Sequence, residues 1–137
     1  MTTKPIPPEQ AKTTYLESRQ TDLRDTTLQT HHYRLKHFVR WCNLEDISTV
    51  DTLTRTQINQ YVNWRRNDGD LTKASMKGQT DTLRVFIQFL EQIGAVEDDL
   101  SEAVPSVSMS PSEERNDRIV PVEEAREILK TLDRYHY

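Results

Sequence analysis

Two stripes of side chains at helical spacing constrain the fold of this chain most strongly. One lies between residues 25 and 42 and the other between residues 72 and 94, and both recur in steps of three and four. The first consists of Leu28, His31, Leu35, Phe38, Val39 and Cys42, and the second of Met76, Thr80, Leu83, Phe86, Ile87, Leu90 and Ile93. The pattern predicts an all-α domain in which the middle of the two stripes forms the core.

The low content of turn residues supports this fold class. The 137 residues include 3 glycines and 6 prolines, too few for a fold rich in β-turns. We expect a lightly packed first helix over residues 8–21 and a short helix that ends at Gly69. Capping-box patterns at Thr26-x-x-Gln29 and Thr54-x-x-Gln57 open the second and third helices. The prediction is therefore four main helices.

Gly78 interrupts the fourth helix at a position that we assign to its outer face. Glycine in a helix interior costs about 1 kcal/mol relative to alanine. Two interpretations stay open: the glycine lets another backbone approach closely, or it is tolerated without a role.

The ends of the chain have a different composition from the helices. Residues 1–7 hold Pro5 and Pro7 and are followed by Pro8, which predicts disorder over residues 1–7. Residues 95–117 are acidic and rich in Ser and Pro, without helical or strand period, and they predict a linker. A further helix is expected over 121–134. We place the domain at 8–104, the linker at 105–118 and the start of a second, incomplete domain at 119–137.

Charge is unevenly distributed along the chain. The formal net charge is −4, but residues 1–90 hold 13 Lys/Arg against 10 Asp/Glu, while residues 91–117 hold one Arg against eight acids. The helical part is thus mildly basic, which is compatible with a polyanion partner. Arg outnumbers Lys by 12 to 6, and an acidic, Lys-poor composition suits a halophilic host.

Several functional classes are not supported by the sequence. Cys42 is the single cysteine, so no intramolecular disulfide is possible. His31, His32 and His37 do not place three ligands on one face, and we predict no metal site, cofactor or small-molecule substrate. The sequence has no 18-residue apolar run and no apolar signal-peptide core, so the expected location is the cytoplasm.

The order and spacing of the helical motifs resemble a known family. The matching residues are Thr26, Tyr33, Leu35, Phe38, Trp41, Ser75, Leu83, Arg84, Phe86, Phe89 and Leu90. This pattern is similar to the N-terminal core-binding, SAM-like domain of tyrosine recombinases of the phage integrase and Xer type, over roughly residues 8 to 108. The segment from Val120 to Leu129 is similar to the first helix of that family's catalytic domain.

The resemblance implies that the helices at 25–42 and 72–94 grip duplex DNA, as one half of a clamp. By this analogy phosphates meet cationic side chains, and short polar side chains approach base edges or sugars. The implied phosphate contacts are Arg34, Lys73, Lys77 and Arg84. The implied base or sugar contacts are Thr30, His37 and Ser75. From charge patterning alone, these residues are equally compatible with ordinary solvent-exposed helix faces that bind nothing.

No catalytic residue can be carried over from the family. Its Arg, His-x-x-Arg and nucleophilic Tyr motifs are not present, and Tyr135 and Tyr137 lack the acid groups and arginines that such a nucleophile needs. We therefore expect no enzymatic activity from this chain, and expect duplex DNA and other recombinase subunits as partners. The alternatives are a helical protein–protein interaction module, favoured by the net charge of −4, and a regulatory fragment that assembles with a full-length recombinase.

Overall fold

The computed structural model describes residues 5–69 and 71–107, and within these ranges it contains helices and no strands. The four α-helices are α1 (Pro8–Ser18), α2 (Asp25–Leu44), α3 (Arg55–Gly69) and α4 (Lys73–Gln92). Two short 3-10 helices lie at Val50–Thr52 and Leu100–Ala103. The predicted all-α class is confirmed.

The core forms where α2 and α4 pack together. Leu35, Phe38, Leu83 and Phe86 are all at most 2% exposed, as the two stripes predict. The rings of Phe38 and Phe86 meet edge to face with centroids 5.8 Å apart, an arrangement that aromatic quadrupoles favour. Tyr61 of α3 adds a third ring 5.1 Å from Phe38. Three helices therefore share one aromatic contact.

Helix α1 is anchored more firmly than its few apolar residues predict. Tyr15 is 1% exposed, and its ring lies 5.6 Å from the rings of both Phe86 and Phe89. Ala11, one turn earlier, is fully buried. A single large side chain, rather than an apolar stripe, therefore anchors this helix to the core. The helix ends at Ser18, whose hydroxyl donates to the Tyr15 carbonyl, three residues before the predicted end.

The helix starts show which of the predicted caps form. At α3 the capping box is present: Thr54 N–H donates to Gln57 Oε1 at 3.0 Å, and Gln57 N–H donates to Thr54 Oγ1 at 3.2 Å. At α2 the predicted box is wrong, because the helix begins at Asp25 and Thr26 already lies inside its first turn. Its N-cap residue is Arg24, which provides no side-chain cap.

Residues 95–104 belong to the core, so the linker predicted from residue 95 begins too early. Ala95, Val96, Leu100 and Val104 are at most 4% exposed. The Ser101 N–H donates to Glu91 Oε1 at 2.6 Å, which ties the 3-10 helix to α4. These apolar residues have no periodic spacing because they fill gaps rather than line one face. The boundary at 104 and the linker 105–118 stay a prediction.

The two ends extend beyond the described residues. Ile6 is half-buried, and its carbonyl accepts a 2.9 Å hydrogen bond from Val50 N–H, so the prediction of disorder is wrong at this residue. Residues 1–4 lie outside the described residues. So do positions 108–118 of the predicted linker, the predicted second domain at 119–137 and its helix at 121–134.

The shared aromatic contact predicts the effect of removing Phe86. Phe86→Ala should lower the free energy of unfolding by about 3–5 kcal/mol, because it leaves a cavity between three helices. Urea denaturation monitored by circular dichroism measures this loss. Leu44→Ala is the control, since Leu44 is 63% exposed and its replacement should change stability by less than about 0.5 kcal/mol. Equal effects of the two variants would contradict the packing described.

The packing of residues 95–104 gives a second prediction. Leu100→Ala should cost about 2–5 kcal/mol of unfolding free energy, since Leu100 is fully buried. Glu97→Ala, at an exposed position of the same segment, should be nearly neutral. Thermal unfolding of both variants compares them directly. A neutral Leu100→Ala would restore the interpretation of this segment as a linker.

Candidate nucleic-acid interface

A polar contact joins α2 and α4 beside the aromatic core. We call Arg34, Gly78 and Thr82 the α2–α4 seam. Arg34 Nη1 donates to Thr82 Oγ1 at 3.1 Å, and Thr82 is 2% exposed. A Cβ added at Gly78 would lie 2.5 Å from Arg34 Nη2 and 2.8 Å from Arg34 Cζ. Gly78 is thus buried under a guanidinium, and its prediction as an outward-facing residue is wrong.

The next row of α4 contains one carboxylate between two cations. Lys77 Nζ lies 3.0 Å from Asp81 Oδ2, and Arg84 Nη1 lies 3.2 Å from Asp81 Oδ1. The two cationic side chains are each 28% exposed and the Asp81 side chain is 48% exposed. The row therefore has a net charge of +1 and is accessible to solvent.

Arg84 also contacts the segment that follows α4. Its Nη2 donates to the carbonyls of Val104 and Pro105, at 3.4 and 3.2 Å. Three acceptors from two parts of the chain therefore hold this guanidinium.

Thr30, on α2 one turn before Arg34, is half-buried, and its hydroxyl donates to the Thr26 carbonyl at 3.0 Å.

A second group of cations lies between α2 and α3. Arg40 donates through both terminal nitrogens to the carboxylate of Asp68, and its guanidinium lies 4.6 Å from the centre of the Trp64 ring. Arg65 is 3% exposed; its Nη1 lies 3.6 Å from Asp68 Oδ2, and its Nη2 donates to Tyr33 Oη at 3.5 Å. The hydrogen bond from Arg40 lowers the pKa of Asp68. Tyr33 is buried at this contact.

His37 lies inside this group rather than on an open face. Its ring meets Tyr33 edge-on at 4.9 Å, and its Nδ1 is 3.1 Å from Arg40 Nη2. Burial, followed by the charges of Arg65 and Arg40, lowers the pKa of His37 to about 3. The imidazole is therefore neutral at pH 7. Since arginine can only donate, Nδ1 accepts and the proton is on Nε2, which is buried and unpartnered among the described residues.

At the start of α4 the two predicted site residues have different environments. Ser75 is fully buried; its N–H donates to Thr72 Oγ1 and its own hydroxyl oxygen accepts from Thr72, both at 3.2 Å. Its hydroxyl is thus part of the helix cap. Lys73 is exposed in the first turn, where the helix dipole disfavours a cation.

The structure brings together some of the seven predicted residues and separates others. Arg34 lies in the seam with Lys77 and Arg84 on the adjoining row of α4, and Thr30 lies one turn from Arg34. His37 belongs to the α2–α3 group, and Ser75 is internal. Thr82 and Asp81 were not predicted from the sequence as members of the site. The spacing Gly78-x-x-x-Thr82 puts two small residues on one face of α4, and this pattern could have indicated a close contact with another helix.

Within residues 5–69 and 71–107, no helix combines the length and the apolar character needed to cross a membrane. In the same ranges, no three His, Cys, Asp or Glu side chains are grouped so that they could hold a metal ion.

Comparisons with known proteins agree with this architecture. The family model for the phage integrase N-terminal SAM-like domain matches residues 13–94. A similar solved structure is the N-terminal domain of a phage integrase/site-specific recombinase from the halophilic archaeon Haloarcula marismortui. It is 35% identical, with a TM-score of 0.73, and the match covers 77% of this chain and 99% of that chain. No curated protein matches.

Three neutral histidines on α2 predict a loss of stability in mild acid. Burial lowers the pKa of His31 and His32 from 6.5 to about 4, and that of His37 to about 3. The unfolded chain binds protons at these sites first, so their stabilisation is complete above pH 6.5 and is lost as the pH falls toward 4. Each histidine contributes a slope of at most about 1.4 kcal/mol per pH unit.

Urea denaturation at pH 7.5, 6.0 and 5.0 measures this slope. His37→Gln should make it shallower by one histidine's contribution, whereas Gln60→Ala, at an exposed position on α3, should leave it unchanged. Asp68 acts in the same direction only near and below its ordinary pKa of 3.8, so it does not interfere above pH 5. A stability that is constant between pH 7.5 and 5.0 would contradict the burial of neutral histidines.

Proposed function

The chain belongs to the family of phage integrase N-terminal SAM-like domains, and from this premise we propose that it is the DNA-binding arm of a site-specific tyrosine recombinase. One observation carries the proposal beyond family membership. Helices α2 and α4 together hold six Lys/Arg against three Asp/Glu, in a chain whose net charge is −4. The two helices that pack side by side therefore have a net charge of +3.

Phosphate contacts supply the affinity in this proposal. Arg34 belongs to the α2–α4 seam, Lys77 precedes Gly78 on α4, and Lys73 lies one turn before Lys77. We propose that these three cations meet phosphates. A phosphate near Lys73 also gains from the positive end of the α4 dipole. Arg84 adds to the positive field while its hydrogen bonds hold residues 104 and 105.

Base or sugar contacts are assigned more narrowly. We propose Thr30 as the group that approaches a base edge, because it lies on the same row of α2 as Arg34. His37 acts in this proposal by fixing the guanidinium of Arg40, since its own Nε2 is buried. Ser75 is left out of the interface, because its hydroxyl is buried within the cap of α4.

The match to an N-terminal domain determines which part of the recombination reaction we propose for this chain. The matched residues 13–94 correspond to an N-terminal domain and not to a catalytic one. We therefore propose that this chain binds DNA without cleaving it, and that a catalytic domain performs the cleavage through a 3′-phosphotyrosine. Other subunits of the recombinase are proposed as its protein partners.

Titration of a labelled duplex at low salt tests the proposal. The isolated chain should bind weakly, with Kd on the order of 10⁻⁴–10⁻⁶ M, as for non-specific phosphate contacts. Lys73→Ala/Lys77→Ala should weaken binding to all sequences and lower the salt slope by about two units, one for each lost contact. Fluorescence anisotropy at several salt concentrations measures both quantities.

The matched control is Arg55→Ala/Arg66→Ala, which removes the same charge from exposed positions on α3. It should change the salt slope by less than the α4 variant does. If both double variants bind alike, the assignment of α4 to the interface fails. If the wild-type chain binds no duplex at low salt, a helical protein–protein interaction module becomes the better interpretation.

A further inference from the structure

Gly78 lies at a position where glycine destabilises the helix. It is in the middle of α4, a helix of 20 residues, where glycine is the least favourable residue apart from proline. All three of the nearest atoms that a Cβ at this position would meet belong to the guanidinium of Arg34. The space beside the Gly78 Cα is therefore occupied by one specific side chain from α2.

Thr82 completes the contact one turn further along α4. Its hydroxyl accepts from Arg34 Nη1 at 3.1 Å, and its side chain is almost fully buried. Gly78 thus provides the room for a flat guanidinium, and Thr82 fixes its rotation. An ammonium group on a lysine stem has neither the planar shape nor the fixed fork of donors that this arrangement uses.

We propose that Gly78 and Thr82 are positioning residues for DNA binding, which hold the guanidinium of Arg34 between α2 and α4 as a preorganised phosphate-binding cation. The inference rests on the proposed function and deepens it, because it names two uncharged residues on which the interface depends. Without them Arg34 keeps its charge but loses its fixed place. Preorganisation matters because an ordered side chain loses less conformational freedom on binding.

A double-mutant cycle tests this inference with the same duplex titration. Arg34→Ala should weaken binding and lower the salt slope by about one unit. Gly78→Ala should weaken binding nearly as much, although it removes no charge. Arg34→Ala/Gly78→Ala should bind no more weakly than Arg34→Ala alone, because the glycine acts only through the arginine. Gln88→Ala, at an exposed site on α4, should leave binding unchanged.

Two further variants separate positioning from folding. Thr82→Val keeps the volume of the side chain but removes the acceptor, so it should weaken binding without crowding the seam. Arg34→Lys keeps the charge and should not restore wild-type affinity. Thermal unfolding should show a folded domain in each case, since the group that an added Cβ displaces is the flexible end of Arg34.

The outcomes distinguish this inference from the proposed function. If the wild-type chain binds duplex and Gly78→Ala binds equally well, positioning by Gly78 is overturned while the proposed function stands. Additive losses in the double variant would also overturn it, since Gly78 would then act independently of Arg34. Absence of any binding by the wild-type chain would remove both.

Discussion

The edge-to-face contact between Phe38 and Phe86 is the interaction on which the rest of the domain depends. It lies where α2 and α4 pack, and the rings of Tyr15 and Tyr61 bring α1 and α3 onto the same pair. A small domain has little apolar surface to bury, so each large aromatic side chain accounts for a substantial part of its core. The spacing between α2 and α4, and hence the width of their polar face, follows from the size of these rings.

The polar groups beside this core are organised as two separate arrangements. In the α2–α4 seam a guanidinium lies against a glycine and a threonine, and its charge stays near the surface. Between α2 and α3, Arg65 is almost fully buried and depends on Asp68 and Tyr33 for its partners. In the proposed function the first arrangement positions a cation for a phosphate, whereas the second uses cations to join α2 and α3. Two arginines of α2, Arg34 and Arg40, therefore take part in different contacts: Arg34 in the seam with α4 and Arg40 in the ion pair with Asp68 of α3.

The helices could be predicted from the sequence because their stripes are long and regular, as the burial of Leu35 and Phe86 shows. Anchoring by Tyr15 and the packing of Leu100 were missed because one large or one well-placed side chain leaves no period. In the candidate site, Lys77 and Arg84 were predicted from the family resemblance, but the pairing of both with Asp81 was not. The burial of Ser75 and the contact of Gly78 with Arg34 depend on how the helices pack. The residue pattern of one helix does not show which side chains of its neighbour lie against it.

The hydrogen bonds from Arg84 to the carbonyls of Val104 and Pro105 have a mechanical consequence. They brace the segment after α4 against the same helix that contributes cations to the proposed interface. Because Leu100 and Val104 are also buried, we expect this segment to move together with α4. A pull or twist applied to the backbone at residue 105 is therefore transmitted through the guanidinium to α4 rather than absorbed by a swivel at the end of the helix.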